Sequence, residues 1–130
     1  MDDDDCMADR QSDHERVLRK YRETLLAMHR GRIESGGTPR AWNRLVNRLQ
    51  KLHLVLRETP EGQAGITAMV HDPNLTVRGW AAAHSLFWDE ATARAELEAQ
   101  AASEGLGAVD AKYTLREFDR GRLNMTWQPH

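Results

Sequence analysis

The amino-acid sequence predicts an all-α domain. Apolar residues recur at helical spacing through most of the chain, and no segment alternates with the period of two that a strand requires. Cap-like starts and glycine stops divide the chain into about six helical segments: Ser12, Thr38-Pro39, Thr59-Pro60, Asp72-Pro73 and Asp89 begin them, and Gly36-Gly37, Gly105, Gly107 and Gly121 break them. Helices joined by such short connections pair antiparallel, here as three hairpins. Three hairpins form either a closed bundle or a short α-α superhelix, and periodicity does not separate the two. At 130 residues, with 40% hydrophobic and 29% charged, one core is expected and no second domain.

Residues 1–11 are acidic, without apolar periodicity, and are expected to be a disordered charged tail. Ser12 and Glu15 have the spacing of a capping box, after which Val17, Leu18, Tyr21, Leu25 and Met28 mark the buried stripe of a first helix. Thr38 and Pro39 restart the chain as N-cap and first helical residue. The second helix, to about Arg57, places Trp42, Leu45, Val46, Leu49, Leu52, His53 and Leu56 on one broad face, so Trp42 is expected in the core. Its other face aligns Arg40, Arg44, Arg48 and Lys51, with Asn43, Asn47 and Gln50 near them. That stripe is either a solvated helix surface or a seat for an anionic partner.

Ile66, Met69 and Val70 mark a short third helix ending near His71. The fourth is the centre of the chain: from Asp72-Pro73 to Trp88 it is apolar on nearly every side except at Arg78, His84 and Ser85, as expected of an element packed on several faces. Asp89 opens a fifth helix with a thin stripe of Ala93, Leu97 and Ala101, and Glu90, Arg94 and Glu98 spaced for pairing. A sixth, from about Ala108 to Arg120, buries Ala111, Leu115 and Phe118. Gly121 is expected to cap it and Leu123 to pack back over its last turn, leaving 124–130 as a C-terminal tail in which Trp127 suggests docking.

The net charge of −2 hides a patterned distribution. Residues 1–15 carry seven acids against Arg10, for −6, and residues 16–57 carry eleven bases against Glu23 and Glu34, for +9. Residues 58–111 return to −7 and residues 112–130 to +2, a two-sign surface that bears on partner choice and steering rather than on fold. No basic and apolar leader opens the chain and no run has the length of a membrane span, so a cytoplasmic protein without membrane contact is expected. The one cysteine, Cys6, has no partner for an internal disulfide and no basic neighbour that would activate a thiol.

Six histidines are present, but none is set four residues from a second ligand on a recognisable face, so neither a metal nor any other cofactor is expected. His84 has helical spacing from Trp80, Phe87 and Trp88, which favours a core imidazole bonded to a backbone or carboxylate group over a functional one. No nucleophile elbow, no phosphate-cradling glycine loop and no paired carboxylates appear, and the expectation is a protein without catalytic residues. Trp80 and Trp88 either complete the core or line a concave groove, where aromatic side chains suit a hot spot for a protein partner. Arg40, Arg44, Arg48, Lys51, Trp80, His84 and Trp88 are therefore the candidate partner-binding residues.

The segment DPNLTVRGWAA from Asp72 to Ala82 resembles the core of HEAT-type helical repeats. The resemblance implies a turn at Asp72-Pro73, an inner helix packed by Val77 and Ala81, and a polar tie between residues such as Asp72 and Arg78; Thr59–Val70 would be the outer helix. The chain is also similar to a group of small bacterial HEAT-like proteins, a domain family of unknown function, through RGWAAAH at 78–84 and AKYTLREFDRGRL at 111–123. What this implies is a small α-α superhelix used for binding. Absent chemistry and split charge together suggest an immunity or inhibitor protein that neutralises a toxin or effector by protein contact, with nucleic-acid binding along the basic stripe as the alternative.

Overall fold

A computed structural model describes residues 3–33 and 38–126, with the side chains from residue 13 onward. Among these residues lie six helices and no strand: α1 (Asp3–Ile33), α2 (Pro39–Leu56), α3 (Pro60–Ala68), α4 (Leu75–Ser85), α5 (Glu90–Ala102) and α6 (Ala108–Asp119). A 3₁₀ turn, Met69–His71, links α3 to α4. The all-α class and the helix count agree with the sequence. No helix of the described residues is long and apolar enough to cross a membrane.

Most boundaries follow the cap chemistry. The Thr38 hydroxyl accepts the Ala41 N–H at 3.1 Å and the Thr59 hydroxyl the Gly62 N–H at 3.0 Å, each ahead of a proline whose missing N–H costs a first turn nothing. Asp89 caps α5 through the Thr92 N–H at 3.3 Å. At the far end Gly121, with φ +69°, lets the Arg122 N–H reach the Glu117 carbonyl at 2.8 Å while its own N–H reaches that of Phe118 at 3.0 Å. This is the Schellman arrangement, and Leu123 packs back against the core behind it.

Two starts differ from expectation. Residues 3–11, expected as a disordered tail, are helical, so Ser12 lies inside α1 and does not begin it. The aspartates that suggest a solvated tail fall at the helix N-terminus, where negative charge complements the dipole, and Ala8, Arg10 and Gln11 favour continued helix. The second difference is at α4, which is capped by Asn74 rather than Asp72. The Asn74 side-chain oxygen accepts the Thr76 and Val77 N–H groups at 2.9 and 3.2 Å. Asp72 precedes a proline, is held extended at φ −64°, ψ 145°, and spends its carboxylate on the Asn74 N–H and on Arg22.

α4 is the hub. Seven of its eleven residues are buried, because α1, α3 and α5 all pack on it. Tyr21, Leu25 and Met28 of α1, Val46, Leu49 and Leu56 of α2, Ile66 of α3 and Val77, Ala81 and Ala82 of α4 form one core. The helices pair as α1 with α2, α3 with α4 and α5 with α6, but α1 also lies along α3 and α4. Ala93 and Leu97 of α5 and Ala111 of α6 belong to the same core, and α6 packs mainly on α5 through Ala111, Leu115 and Phe118.

Charged groups tie the hub to its neighbours. Arg22 grips Asp72 through Nε and Nη2 at 2.7 and 3.3 Å. Burial alone would lift the Asp72 carboxyl, but the Arg22 hydrogen bond, the Asn74 N–H and the charges of Arg22 and Arg78 together hold it below its ordinary value. Arg78 does not pair with that carboxylate. It donates to the Asp72 and Pro73 carbonyls at 3.0 and 3.1 Å and to Glu96 of α5 at 2.7 Å, so one guanidinium joins the turn, α4 and α5.

The α2–α3 corner leaves no room for a side chain at Gly62. A Cβ there would lie 1.9 Å from the Leu56 carbonyl oxygen, and backbone cannot swing aside as a flexible side chain does. Gly62→Ala is expected to cost about 3 kcal/mol, the upper range for forced overpacking, as a lowered urea midpoint with unchanged slope. An unchanged midpoint would show that the corner is looser than the geometry describes.

Candidate functional site: a tryptophan-edged groove beside a buried histidine pair

Two features stand out, one open and one closed. The open one is a groove of about 990 Å³ between the N-terminal half of α2, the outward side of α4, and α6 with the segment after it. Trp42 and Trp80, both half-buried, line it, as do Tyr113 and Met125. Gln100 and Gly79 lie against it as well. The charges at its rim are satisfied within the chain: Arg32 pairs with Asp110 at 3.1 Å, linking the end of α1 to the start of α6, and Arg122 pairs with Glu117 at 3.0 Å.

The closed feature lies deeper. His84 is fully buried, and its Nδ1 is 2.7 Å from the Tyr21 hydroxyl and its Nε2 3.0 Å from Gln50 Oε1. Because the Gln50 oxygen only accepts, Nε2 carries the proton, and Nδ1 accepts from the Tyr21 O–H. Burial drives His84 well below its ordinary value, with the charge of His53 and Arg57 adding to the effect, and burial drives Tyr21 well above its own. Tyr21, His84 and Gln50 thus form a neutral chain of donors and acceptors tying α1, α4 and α2 together at one point.

His53 stacks on His84, with ring centres 3.7 Å apart and planes within 6°. It too is fully buried, yet neither ring nitrogen has a hydrogen-bond partner among the described residues. Burial, and then the Arg57 charge one turn on, lower it to about 4. An orphaned donor and acceptor cost free energy in the fold, and His53 tolerates this only as the uncharged ring. With both His84 nitrogens engaged and His53 enclosed, neither imidazole lines the groove.

The candidate residues therefore separate. Trp80 lines the groove, and so does Trp42, which packs against the core as expected and edges the opening as well. Trp88 does not line it. Helix α4 ends at Ser85, so Trp88 swings to the other side, donates its ring N–H to Thr67 at 2.8 Å and lies 6.2 Å from His53, with Arg57 over its face at 5.9 Å. The expected groove edged by Trp80 and Trp88 is not formed. His84 is a core imidazole, but its partners are a phenol and an amide rather than a backbone or carboxylate group. Trp127 lies outside the described residues.

Arg40, Arg44, Arg48 and Lys51 are all exposed along α2, and none has a carboxylate partner among the described residues. Gln50, grouped with that stripe by helical phase, is instead fully buried as the His84 acceptor. Its position, about 115° from the centre of the stripe at 100° per residue, borders both faces, and only the presence of His84 opposite decides which one it joins. The role of Gln100 in the groove has no local motif to betray it. Arg94, expected to pair along α5, also reaches Asp119 of α6 at 2.5 Å. Among the described residues no cluster of three His, Cys, Asp or Glu side chains is placed to hold a metal ion. Comparison of the chain with protein-family models, with curated proteins and with solved structures finds no match to any of them.

Proposed function

We propose that this chain is a non-catalytic helical binding protein whose groove receives an apolar segment of another protein, and that it acts in the cytoplasm as an immunity or inhibitor protein acts, by occupying a toxin or effector. The observation that carries this is the groove edged by Trp42 and Trp80. Half-buried tryptophans supply large rigid contact area at little entropic cost, as the anchors of protein interfaces do. The rim charges already paired within the chain leave the interior to apolar contact, so an occupant gains most from apolar surface. The buried histidine pair supports the same view, since both His84 nitrogens are engaged within the fold and His53 is enclosed. On the HEAT-like reading of 72–82, the groove is the concave side on which such repeats bind.

A second reading is favoured by one specific observation, the four exposed cations of α2, none of which has a carboxylate partner among the described residues. Successive arginines four residues apart rise about 6 Å along the helix, a spacing suited to a polyanion backbone. Both readings are tested by recovering the tagged protein from its native host. A stoichiometric protein partner is expected with the unchanged chain and with Arg44→Glu/Arg48→Glu, and is expected to be lost with Trp42→Glu in protein that keeps its helical circular dichroism. Partner capture that survives Trp42→Glu would overturn the groove reading. Nucleic acid that co-purifies, falls away with salt and is lost in the double arginine variant would establish the second.

A further inference from the structure

We propose that the floor of the groove is a subsite for the indole ring of a tryptophan on the partner segment, recognised by Gln100. This deepens the protein-binding reading and rests on it.

Gln100, on α5, is only 6% exposed and lines the groove. Its amide nitrogen donates to the Leu75 carbonyl at 3.4 Å and to Glu96 Oε1 at 3.1 Å. Two acceptors on that side fix which way the amide is turned, because its nitrogen offers only donors. Oε1 is left facing the other way, with no donor among the described residues. A side chain more than nine-tenths buried, holding an unused acceptor against an open groove, is set up to receive a donor from outside the chain.

Two glycines flank Oε1. A Cβ at Gly79 would come within 3.1 Å of Oε1 and one at Gly107 within 3.0 Å. Gly107 has φ +94°, which alone accounts for glycine there. Gly79 has no such reason. It sits inside α4, where glycine is the less stable choice and alanine the helix-favouring one, and what glycine provides at 79 is room for the Gln100 amide, whose Oε1 and Nε2 would lie 3.1 and 3.4 Å from a Cβ there.

The chemistry of the site selects among aromatic groups. Trp42, Trp80 and Tyr113 offer an aromatic lining, so the group is a flat apolar ring. The buried polar position on the floor is an acceptor without a donor among the described residues, and the nearby amide N–H groups of Gln100 are already used. A phenol would bring a lone pair that this position leaves unmatched, and a phenyl ring would leave Oε1 without a donor. Indole is a donor only, and it fits both requirements.

The probe is N-acetyl-tryptophanamide, compared with its 1-methyl counterpart, each titrated into the full chain and followed by two-dimensional NMR. The expected result is millimolar binding, with shifts at the Trp42 and Trp80 ring N–H signals and at the Gln100 side-chain amide. The 1-methyl probe should bind about five- to ten-fold more weakly, the value of one hydrogen bond at a site that otherwise stays unfilled. Gly79→Ala, which sets a methyl group over Oε1 on an intact helix, should bring the ratio close to one; Gln100→Leu should do the same if it folds.

Equal affinity for the two probes, shifts confined to other surfaces, or no binding by either would overturn the subsite. These failures are distinct from failure of the protein-binding reading. A Trp42-dependent partner together with equal probe affinities keeps the groove as a protein site and removes the indole. Selective binding of the unmethylated probe with no partner recovered does the reverse.

Discussion

Acidification from pH 7 to pH 4 is expected to remove about 3 kcal/mol of stability through His53 alone. In the unfolded chain this imidazole has its ordinary value of 6.5, whereas in the fold it is lowered to about 4. Between those values the unfolded chain binds a proton that the folded one refuses. Stability is therefore complete above about pH 6.5, falls as the pH drops through the window, and the loss levels off below about pH 4. His84 is displaced in the same direction and adds to the loss. A domain of this size has a total stability of about 5–15 kcal/mol, so the effect is a large share of the whole.

Asp72 and Asp119 are lowered from 3.8, and their contributions fade below that value, outside the histidine window. Urea midpoints at pH 7 and at pH 4.5 check the result. His53→Phe keeps a flat ring on His84 and removes two unpaired nitrogens. It should leave the neutral-pH midpoint within about 1 kcal/mol of the unchanged chain and take away the His53 share of the acid loss. Equal midpoints at the two pH values in the unchanged chain would mean that the stacked pair is hydrated rather than sealed.

His84→Ala is expected to cost about 4 kcal/mol. Part is the cavity left within α4, and part is the loss of the hydrogen bonds that His84 makes to the Tyr21 hydroxyl and to Gln50. Tyr21→Phe alone should cost about 1–2 kcal/mol, since it leaves Nδ1 of His84 without a donor. In the His84→Ala background the same change should cost nothing or stabilise, because the hydroxyl there has no partner to lose. The coupling measured by this cycle is the worth of the 2.7 Å contact between α1 and α4. Additive losses would show that His84 acts through its bulk alone.

The helices were legible because their signals are local. Thr38-Pro39, Thr59-Pro60, Asp89 and Gly121 each carry their own capping chemistry within four residues, and the structure uses all four as expected. Asp72-Pro73 misled by two residues because Arg22, fifty positions away, claims the carboxylate that would otherwise cap α4. The groove was legible only in part. Trp80, which the sequence leaves between core and groove, packs on the core and lines the groove, Trp42 does the same, and Trp88 turns away from it, because helical phase tells which way a side chain points and not where a helix stops or what faces it. Gln50, His53 and Gln100 acquire their meaning from residues on other helices. No spacing within one segment carries that information.

The two walls of the groove are not held alike. The α2 wall is fused to α1 and α4 by the core and by Gln50, whereas the α6 wall rests on α5 and meets the front of the molecule through Arg32 and Asp110, the latter 74% exposed. An ion pair so open to water contributes at most about 1 kcal/mol. The walls are thus expected to belong to different units of local unfolding, with the amides of α6 exchanging faster than those of α4. An occupant touching both walls would then slow exchange in α6, giving up part of its contact energy as the entropy of a hinge brought to rest.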